Sequence, residues 1–391
     1  MKVNRAHKIR LYPNNVQKTY FKKACGTSRF VYNWGLSLWK VQYELGKKPS
    51  AFGLKKEFNT IKNKNFPWIS EVTKCASEQA FNNLGTSFKN FFTKKSKYPS
   101  YKKKGNRDSF YISNDKFLIK GDKIRIPKLG FVRMREELRF VGKIMSATVS
   151  RVADQWYVAI SVETEVTSSV FENQEAVGVD LGVKALATLS TGEVVIGPKP
   201  HKQLLARLRL LNKSVARKKK GSSNRRKAVL NLSKLHSRIA CIRNDTIHKL
   251  TTRLSQDFAI IGIEDLNVRG MSKNHCLSRA ILDMGWGEFR RQLEYKTGAS
   301  SSQLVVADRF FPSSKMCSTC GDVLPKLKLS IRTWICSCGE VHDRDINAAI
   351  NLKKYAVGST VKACGDGSSG LGKISLSETT VCEAGIKFQS E

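Results

Sequence analysis

The sequence predicts a multidomain chain of α+β and α/β character. A small antiparallel sheet or barrel carries an inserted helical bundle, and an α/β domain with a short metal-stapled insertion follows. Three observations predict this. The hydrophobic period changes from helical to two near residue 109. Apolar strands alternate with helices from 176 to 310. Four cysteines gather between 317 and 338.

The first element, "HKIRLYP" (7–13), alternates basic and apolar residues and ends at Pro13, as a half-buried strand does. From 14 to about 95 the pattern is helical. Phe30, Trp34 and Leu38 recur at i, i+4, i+8, and Phe88, Phe91 and Phe92 repeat the theme; these aromatics are expected in a core. Between 109 and 165 period two takes over in "KFLIKGDKIRIPKLGFVRM" and "IMSATVSRVADQWYVAISVE", with turns at Lys120–Gly121–Asp122 and Ala153–Asp154–Gln155. The strand at 7–13 is expected to join this sheet, with the helical block inserted between.

"TEVTSSVFENQE" (164–175) reads as a polar linker. "AVGVDLGVKALATLSTGEVVIG" (176–197) reads as a buried strand, a glycine turn and a second strand. A long helical stretch, 202–256, breaks near "KKKGSSNRR" (218–226). A strand at 258–266, a helix at 286–298 and a strand at 302–310 complete the α/β pattern. After 356 the chain is rich in Gly, Ser and Thr and is expected to be a flexible tail (357–391).

Charge is the strongest bulk signal. The 391 residues hold 69 Lys+Arg against 32 Asp+Glu, a formal net charge of +37. Such an excess repels itself unless a polyanion neutralises it, so nucleic acid is the expected partner. No apolar run approaches the roughly 20 residues of a membrane helix, and no signal peptide is evident, so a cytoplasmic protein with no membrane partner is expected. Two stretches carry the basic charge. One holds Lys94, Lys95, Lys97, Lys102, Lys103 and Lys104 interleaved with Tyr98, a pattern suited to phosphate tracking with stacking. In the other, 201–250, 15 Lys/Arg face the single acid Asp245, and Lys218, Lys219, Lys220, Arg225 and Arg226 cluster at the helical break.

Cys317 and Cys320 are spaced C-x-x-C; Cys336 and Cys338 are spaced C-x-C after 15 intervening residues. Two short knuckles with glycines just behind them (Gly321, Gly339) supply four thiolates for one tetrahedral, structural Zn²⁺. His342 stands as an alternative ligand. A thioredoxin-like redox pair is disfavoured, because two pairs are present and the flanking pattern is not βαβ.

Three carboxylates stand out. Asp180 lies in the apolar "VGVDLG", Glu264 ends "AIIGIE", and Asp345 begins "DINAAINLKKYA". Singly, each has a plain structural reading: Asp345, for instance, is a good helix N-cap. Together, two neighbouring strands and one adjacent helix can bring three carboxylates to one point. Hard divalent ions such as Mg²⁺ take oxygen ligands, and two of them can activate a water and stabilise the leaving oxygen of a phosphodiester. An acidic cluster in so basic a chain would repel phosphates unless cations bridged the two.

At these residues the chain resembles the TnpB family of transposon-encoded RNA-guided DNA nucleases, related to type V CRISPR effectors. "KIRLYP" with "SRFVYNWGL", then "VGVDLGVKALAT", "IGIEDLNVRGM", "SSKMCSTCG" and "CGEVHDRDINAAINL", occur in that family's order. The resemblance implies a WED-like β-barrel (1–13 and 107–170), a REC-like helical insert (14–106) and an RNase H-type RuvC-like nuclease domain (171–356) with an inserted zinc ribbon (311–343). It implies Asp180, Glu264 and Asp345 as catalytic acids holding two Mg²⁺, with Asp265 and Asp343 beside them in supporting or surface positions. Cys317, Cys320, Cys336 and Cys338 would be the zinc ligands, the C-x-C knuckle departing from the C-x-x-C of many members. The partners implied are a guide RNA from the transposon end, with one protein copy per RNA, and double-stranded DNA cut beside a short motif. Two rivals are a transposase that joins DNA without RNA and a nuclease-silent RNA-guided repressor.

Overall fold

The computed structural model describes residues 2–165, 175–328 and 330–365. The expected linker and tail fall largely outside these limits: 166–174 and 366–391 are not among the described residues. The chain divides into two compact units, one up to Val166 and one from Thr167 onward.

The first unit runs β1 (Lys2–Leu11), α1 (Asn15–Glu44), α2 (Ala51–Asn65), α3 (Cys75–Phe92), β2 (Ser109–Ser113), β3 (Leu118–Lys120), β4 (Lys123–Ile126), β5 (Gly130–Arg133), β6 (Lys143–Val152) and β7 (Gln155–Glu165). β1 pairs antiparallel with β7 from Lys2↔Glu165 to Leu11↔Trp156, so the first strand joins the later sheet and the helices are an insertion, as the periodicity predicts. α1 starts at a capping box between Asn14 and Gln17, which satisfies two otherwise unpaired N–H groups.

No closed barrel forms among the described residues, which corrects the barrel expectation. One sheet has the order β1-β7-β6-β2 and a separate one β3-β4-β5; β1 and β2 do not pair with each other, and a single bridge, Leu11↔Met134, links the end of β1 to the residue after β5. The two sheets share one core, filled by Ile112, Ile124, Val149 and Val158 and plugged by Phe21 of α1. Alternation identifies the strands; whether the edges meet depends on twist and register, which alternation does not encode. The other half of α1 (Val31, Leu36, Trp39) packs with Phe58, Phe81 and Phe88 in a second, helical core.

The second unit runs β8 (Ala176–Asp180), β9 (Ala187–Leu189), β10 (Val194–Val195), α4 (Pro200–Gln203), α5 (Leu205–Ala216), α6 (Ser223–Asp257), β11 (Ile260–Glu264), α7 (Val268–Met271), α8 (Ser278–Met284), α9 (Trp286–Thr297), β12 (Gln303–Ala307), β13 (Thr333–Ile335), β14 (Val341–Asp343) and α10 (Arg344–Gly365). Its main sheet has the order β10-β9-β8-β11-β12, with β8, β11 and β12 parallel. α10 continues to Gly365, so the first residues of the expected tail, 357–365, are helical.

Two glycines let α10 lie directly on the sheet. A Cβ added at Gly178 would sit 1.8 Å from the Ala349 carbonyl oxygen, and one at Gly262 would sit 2.4 Å from that of Leu352. Only a residue without a side chain allows so close an approach. The small Ala349 and Ala356 on the helix complete the fit. Among the described residues no helix is long and apolar enough to cross a membrane.

Candidate active site

Asp180 and Glu264 are the last residues of the adjacent parallel strands β8 and β11. Asp345 lies in the first turn of α10, which packs across both strands. The carboxyl ends of parallel strands are where open α/β sheets present functional groups. Burial first, then the charges of Glu264 and Asp345, push the Asp180 carboxyl up to about 8; Arg344 and Arg332 pull it back. Glu264 and Asp345 thus act electrostatically on Asp180, and the two arginines offset part of their effect.

Glu264 and Asp345, and the neighbouring Asp265 and Asp343, are each held by a partner the sequence did not reveal. Ser313 Oγ donates to Glu264 Oε1. Arg332 Nη1 lies 3.0 and 3.3 Å from the two oxygens of Asp345. Asp265 turns to two arginines, Arg290 and Arg309, the latter at 2.5 Å, which hold its carboxyl below the usual range. Asp343 Oδ1 accepts from the N–H groups of Asp345 and Ile346, both at 3.0 Å, and so caps α10. The capping role considered for Asp345 thus falls to Asp343, leaving the Asp345 carboxylate to face Arg332.

The cysteine quartet is the only group of three or more candidate ligands among the described residues whose atoms all lie within 4.8 Å of one another. Cys317 and Cys338 Sγ are 3.8 Å apart, and Cys320 and Cys336 Sγ 3.5 Å. A Zn–S bond of about 2.3 Å in a tetrahedron places sulfurs about 3.8 Å apart, so the quartet fits a structural zinc, C-x-C knuckle included. His342 does not join it. Its buried Nε2 lies 3.0 Å from Cys317 Sγ, a hydrogen-bond contact, and its ring packs on Trp334 at 4.7 Å. The β13–β14 hairpin sets this contact by pairing Trp334 opposite His342.

The basic residues divide by what they touch. Lys94, Lys95, Lys97, Lys103, Lys104, Lys219, Lys220 and Arg226 are exposed. Tyr98 packs edge-on against Phe88 and Phe91, and Lys102 Nζ lies 4.0 Å from the Tyr32 ring centre. Arg225 Nη1 donates to the carbonyls of Val215 and Lys218 (2.7 and 2.9 Å), closing the turn between α5 and α6. Lys218 Nζ reaches Ser214 Oγ at 2.8 Å.

Comparison with known proteins bears on this arrangement. A family model described as "Probable transposase" matches residues 159–275, and one described as "Cas12f1-like, TNB domain" matches 286–352, which includes the quartet and Asp345. A protein of Streptomyces pristinaespiralis named "Putative RNA-guided DNA endonuclease" is 39% identical over 380 residues, covering 93% of this chain and 92% of that protein. The chain belongs to the IS605 OrfB/TnpB family. Another relative, "Putative RNA-guided DNA endonuclease InsQ" of Escherichia coli (strain K12), is 34% identical, covering 94% of this chain and 95% of that protein. The Cas12f1 chain of a complex with sgRNA and target DNA shares the multidomain α+β fold at a TM-score of 0.55 and 14% identity, covering 86% of this chain and 83% of that one. A third family model, "Helix-turn-helix domain", matches residues 1–48, a range that contains strand β1 and the long helix α1.

Proposed function

We propose that this family member is an RNA-guided, Mg²⁺-dependent DNA endonuclease of a transposon, cutting double-stranded DNA beside a short adjacent motif. The observation that carries the reading is the convergence of Asp180, Glu264 and Asp345 at the carboxyl end of the parallel strands. The family membership and the names of the relatives support it. Asp180, Glu264 and Asp345 would hold two Mg²⁺ ions, which supply charge stabilisation for the attacking and leaving oxygens of a phosphodiester. The raised Asp180 carboxyl is what such ions would relieve.

The rest of the work falls to the chain itself. Arg332 and Arg344 put positive charge beside the acids, where a phosphate would enter. In this assignment residues 1–13 and 107–170 are WED-like, 14–106 REC-like and 171–356 RuvC-like, with 311–343 the zinc ribbon. The exposed lysines of 94–104 and the α5–α6 turn would neutralise RNA or DNA phosphates, and base pairing would read the target.

The test is to purify the protein from cells that also express its flanking genomic DNA, sequence the copurifying RNA and assay cleavage. One discrete RNA, with Asp180→Ala abolishing cleavage and leaving RNA binding intact, is expected. Retained cutting by that variant sinks the assignment. The "Probable transposase" description favours a second reading, direct joining of DNA strands. That activity would yield recombinant products in reactions lacking RNA.

A further inference from the structure

The segment Ser313–Ser318 touches both sites. At one end Ser313 Oγ donates to Glu264; near the other, Cys317 belongs to the quartet. Two asparagines of α10, Asn347 and Asn351, grip this segment. They are spaced i, i+4 on one helix face and are each 1% exposed. Asn347 Nδ2 donates to the Met316 carbonyl at 2.8 Å, and its Oδ1 accepts from Ser318 N–H at 2.9 Å, so one amide brackets Cys317 from both sides. Asn351 Nδ2 donates to the carbonyls of Ser313 (2.8 Å) and Met316 (2.7 Å). Lys354 Nζ adds a bond to the Ser318 carbonyl.

Packing alone does not call for amides here. A buried amide costs free energy unless its donors and acceptors are met, and Asn351 Oδ1 accepts no hydrogen bond among the described residues, so an apolar side chain would fill the space without that cost. What an amide does provide is a fixed separation between helix and segment. Asp345 is two residues before Asn347 on the same helix, and Asp343 caps that helix from the strand that carries His342, the Cys317 partner.

We infer that Asn347 and Asn351 are positioning residues: a two-amide clamp that sets Asp345 and Glu264 relative to the zinc ribbon and so prepares the acid site for divalent cations. The inference rests on the three-acid reading above. It makes the zinc ribbon part of the catalytic geometry as well as a staple. Cys317, Cys320, Cys336 and Cys338 would hold the zinc; the clamp ties the Cys317 position to α10 and to Ser313, and so to Asp345 and Glu264.

The experiment uses the full-length chain and Mn²⁺ as the probe, with binding followed by electron paramagnetic resonance and zinc measured by elemental analysis. Asn347→Ala combined with Asn351→Ala is expected to retain one zinc per chain and bind Mn²⁺ at least 10-fold more weakly. Hydrogen exchange of the 344–352 amides should rise to the level that zinc chelation produces in the wild type. In cleavage assays the loss should fall on kcat and spare the KM for DNA. Wild-type Mn²⁺ affinity with zinc retained overturns the clamp. Should the double variant fail to fold, Ser313→Ala removes one hydroxyl and is expected to weaken Mn²⁺ several-fold; no change overturns the Asn351–Ser313–Glu264 link. Asp180→Asn separates the two levels. If it leaves Mn²⁺ binding intact, the three-acid reading fails and takes the inference with it. If it abolishes binding while the amide variants bind normally, only the clamp fails.

Discussion

Arg332, from the stretch between the two zinc knuckles, holds both carboxylate oxygens of Asp345 through one nitrogen, at 3.0 and 3.3 Å. The backbone reinforces the contact, since Arg344 N–H donates to the Arg332 carbonyl at 2.8 Å. Arg332 also helps keep Asp180 ionisable against burial and two like charges. If Asp180 is a ligand as proposed, it must lose its proton to bind the ion, and Arg332→Gln should move the pH midpoint of Mn²⁺ binding to higher pH. A titration of Mn²⁺ affinity between pH 6 and 9 (about the range that brackets a carboxyl near 8) checks this. An unchanged or lower midpoint would contradict it.

The same carboxyl sets a stability prediction. Asp180 is raised to about 8 in the fold, above its unfolded value near 4. Between those values the unfolded chain has released this proton and the folded chain retains it. Stability therefore falls as pH rises through that window. Without divalent metal, Asp180→Asn should raise Tm at pH 8 by several degrees and leave it nearly unchanged at pH 4. Divalent cations should stabilise the wild type and not the variant. Differential scanning fluorimetry at both pH values, with and without Mn²⁺, measures this.

Gly178 is where the helix bearing Asp345 meets the sheet. A methyl group there meets the Ala349 carbonyl at 1.8 Å, and the listener on the far side is backbone, which cannot rotate away. Gly178→Ala should cost about 3 kcal/mol or more, the range of severe overpacking, and cut activity further by shifting α10. Chemical denaturation gives the first number and single-turnover cleavage the second. A variant with wild-type stability would mean that α10 does not sit on β8 as described.

Zinc should bind at one ion per chain. Cys338→Ser should lose it, although its knuckle has the shorter C-x-C spacing. His342→Gln should keep it, because His342 bonds Cys317 from outside the quartet. Elemental analysis of the two variants decides between a four-cysteine site and a site that uses the histidine.

Arg225 and Arg226 are sequence neighbours with different expected effects. Arg225 closes the α5–α6 turn, whereas Arg226 is exposed alongside Lys219 and Lys220. Replacing Lys219, Lys220 and Arg226 with Ala should leave Tm unchanged and reduce the salt-dependence slope of RNA binding by about 2, at roughly 0.7 per phosphate contact for single strands. Arg225→Ala should lower Tm instead. Filter binding across a salt series, with thermal melts, separates the two.

The sequence by itself determined the parts, though not the β13–β14 hairpin: the strands of the two larger sheet regions, the break at 218–226, the spacing of the quartet and the positions of three acids in or beside apolar runs. These are legible because they depend on local period, on spacing or on a charged residue in an apolar run. Nothing local encodes what those parts meet. The open pair of sheets in place of a barrel, the electrostatic effect of Glu264 and Asp345 on Asp180, and the exclusion of His342 from the quartet were decided by tertiary structure. So were Ser313, Arg332, Asn347 and Asn351, whose polar side chains read as ordinary loop and helix residues until their partners are known. Gly178 and Gly262 make the same point. In the sequence they look like gaps in two strands, and only the carbonyls of α10 against them show that the missing side chains are what bring Asp345 to the other two acids. A hydrogen bond or a close backbone approach between separate elements is set by three-dimensional packing, and no periodicity carries it.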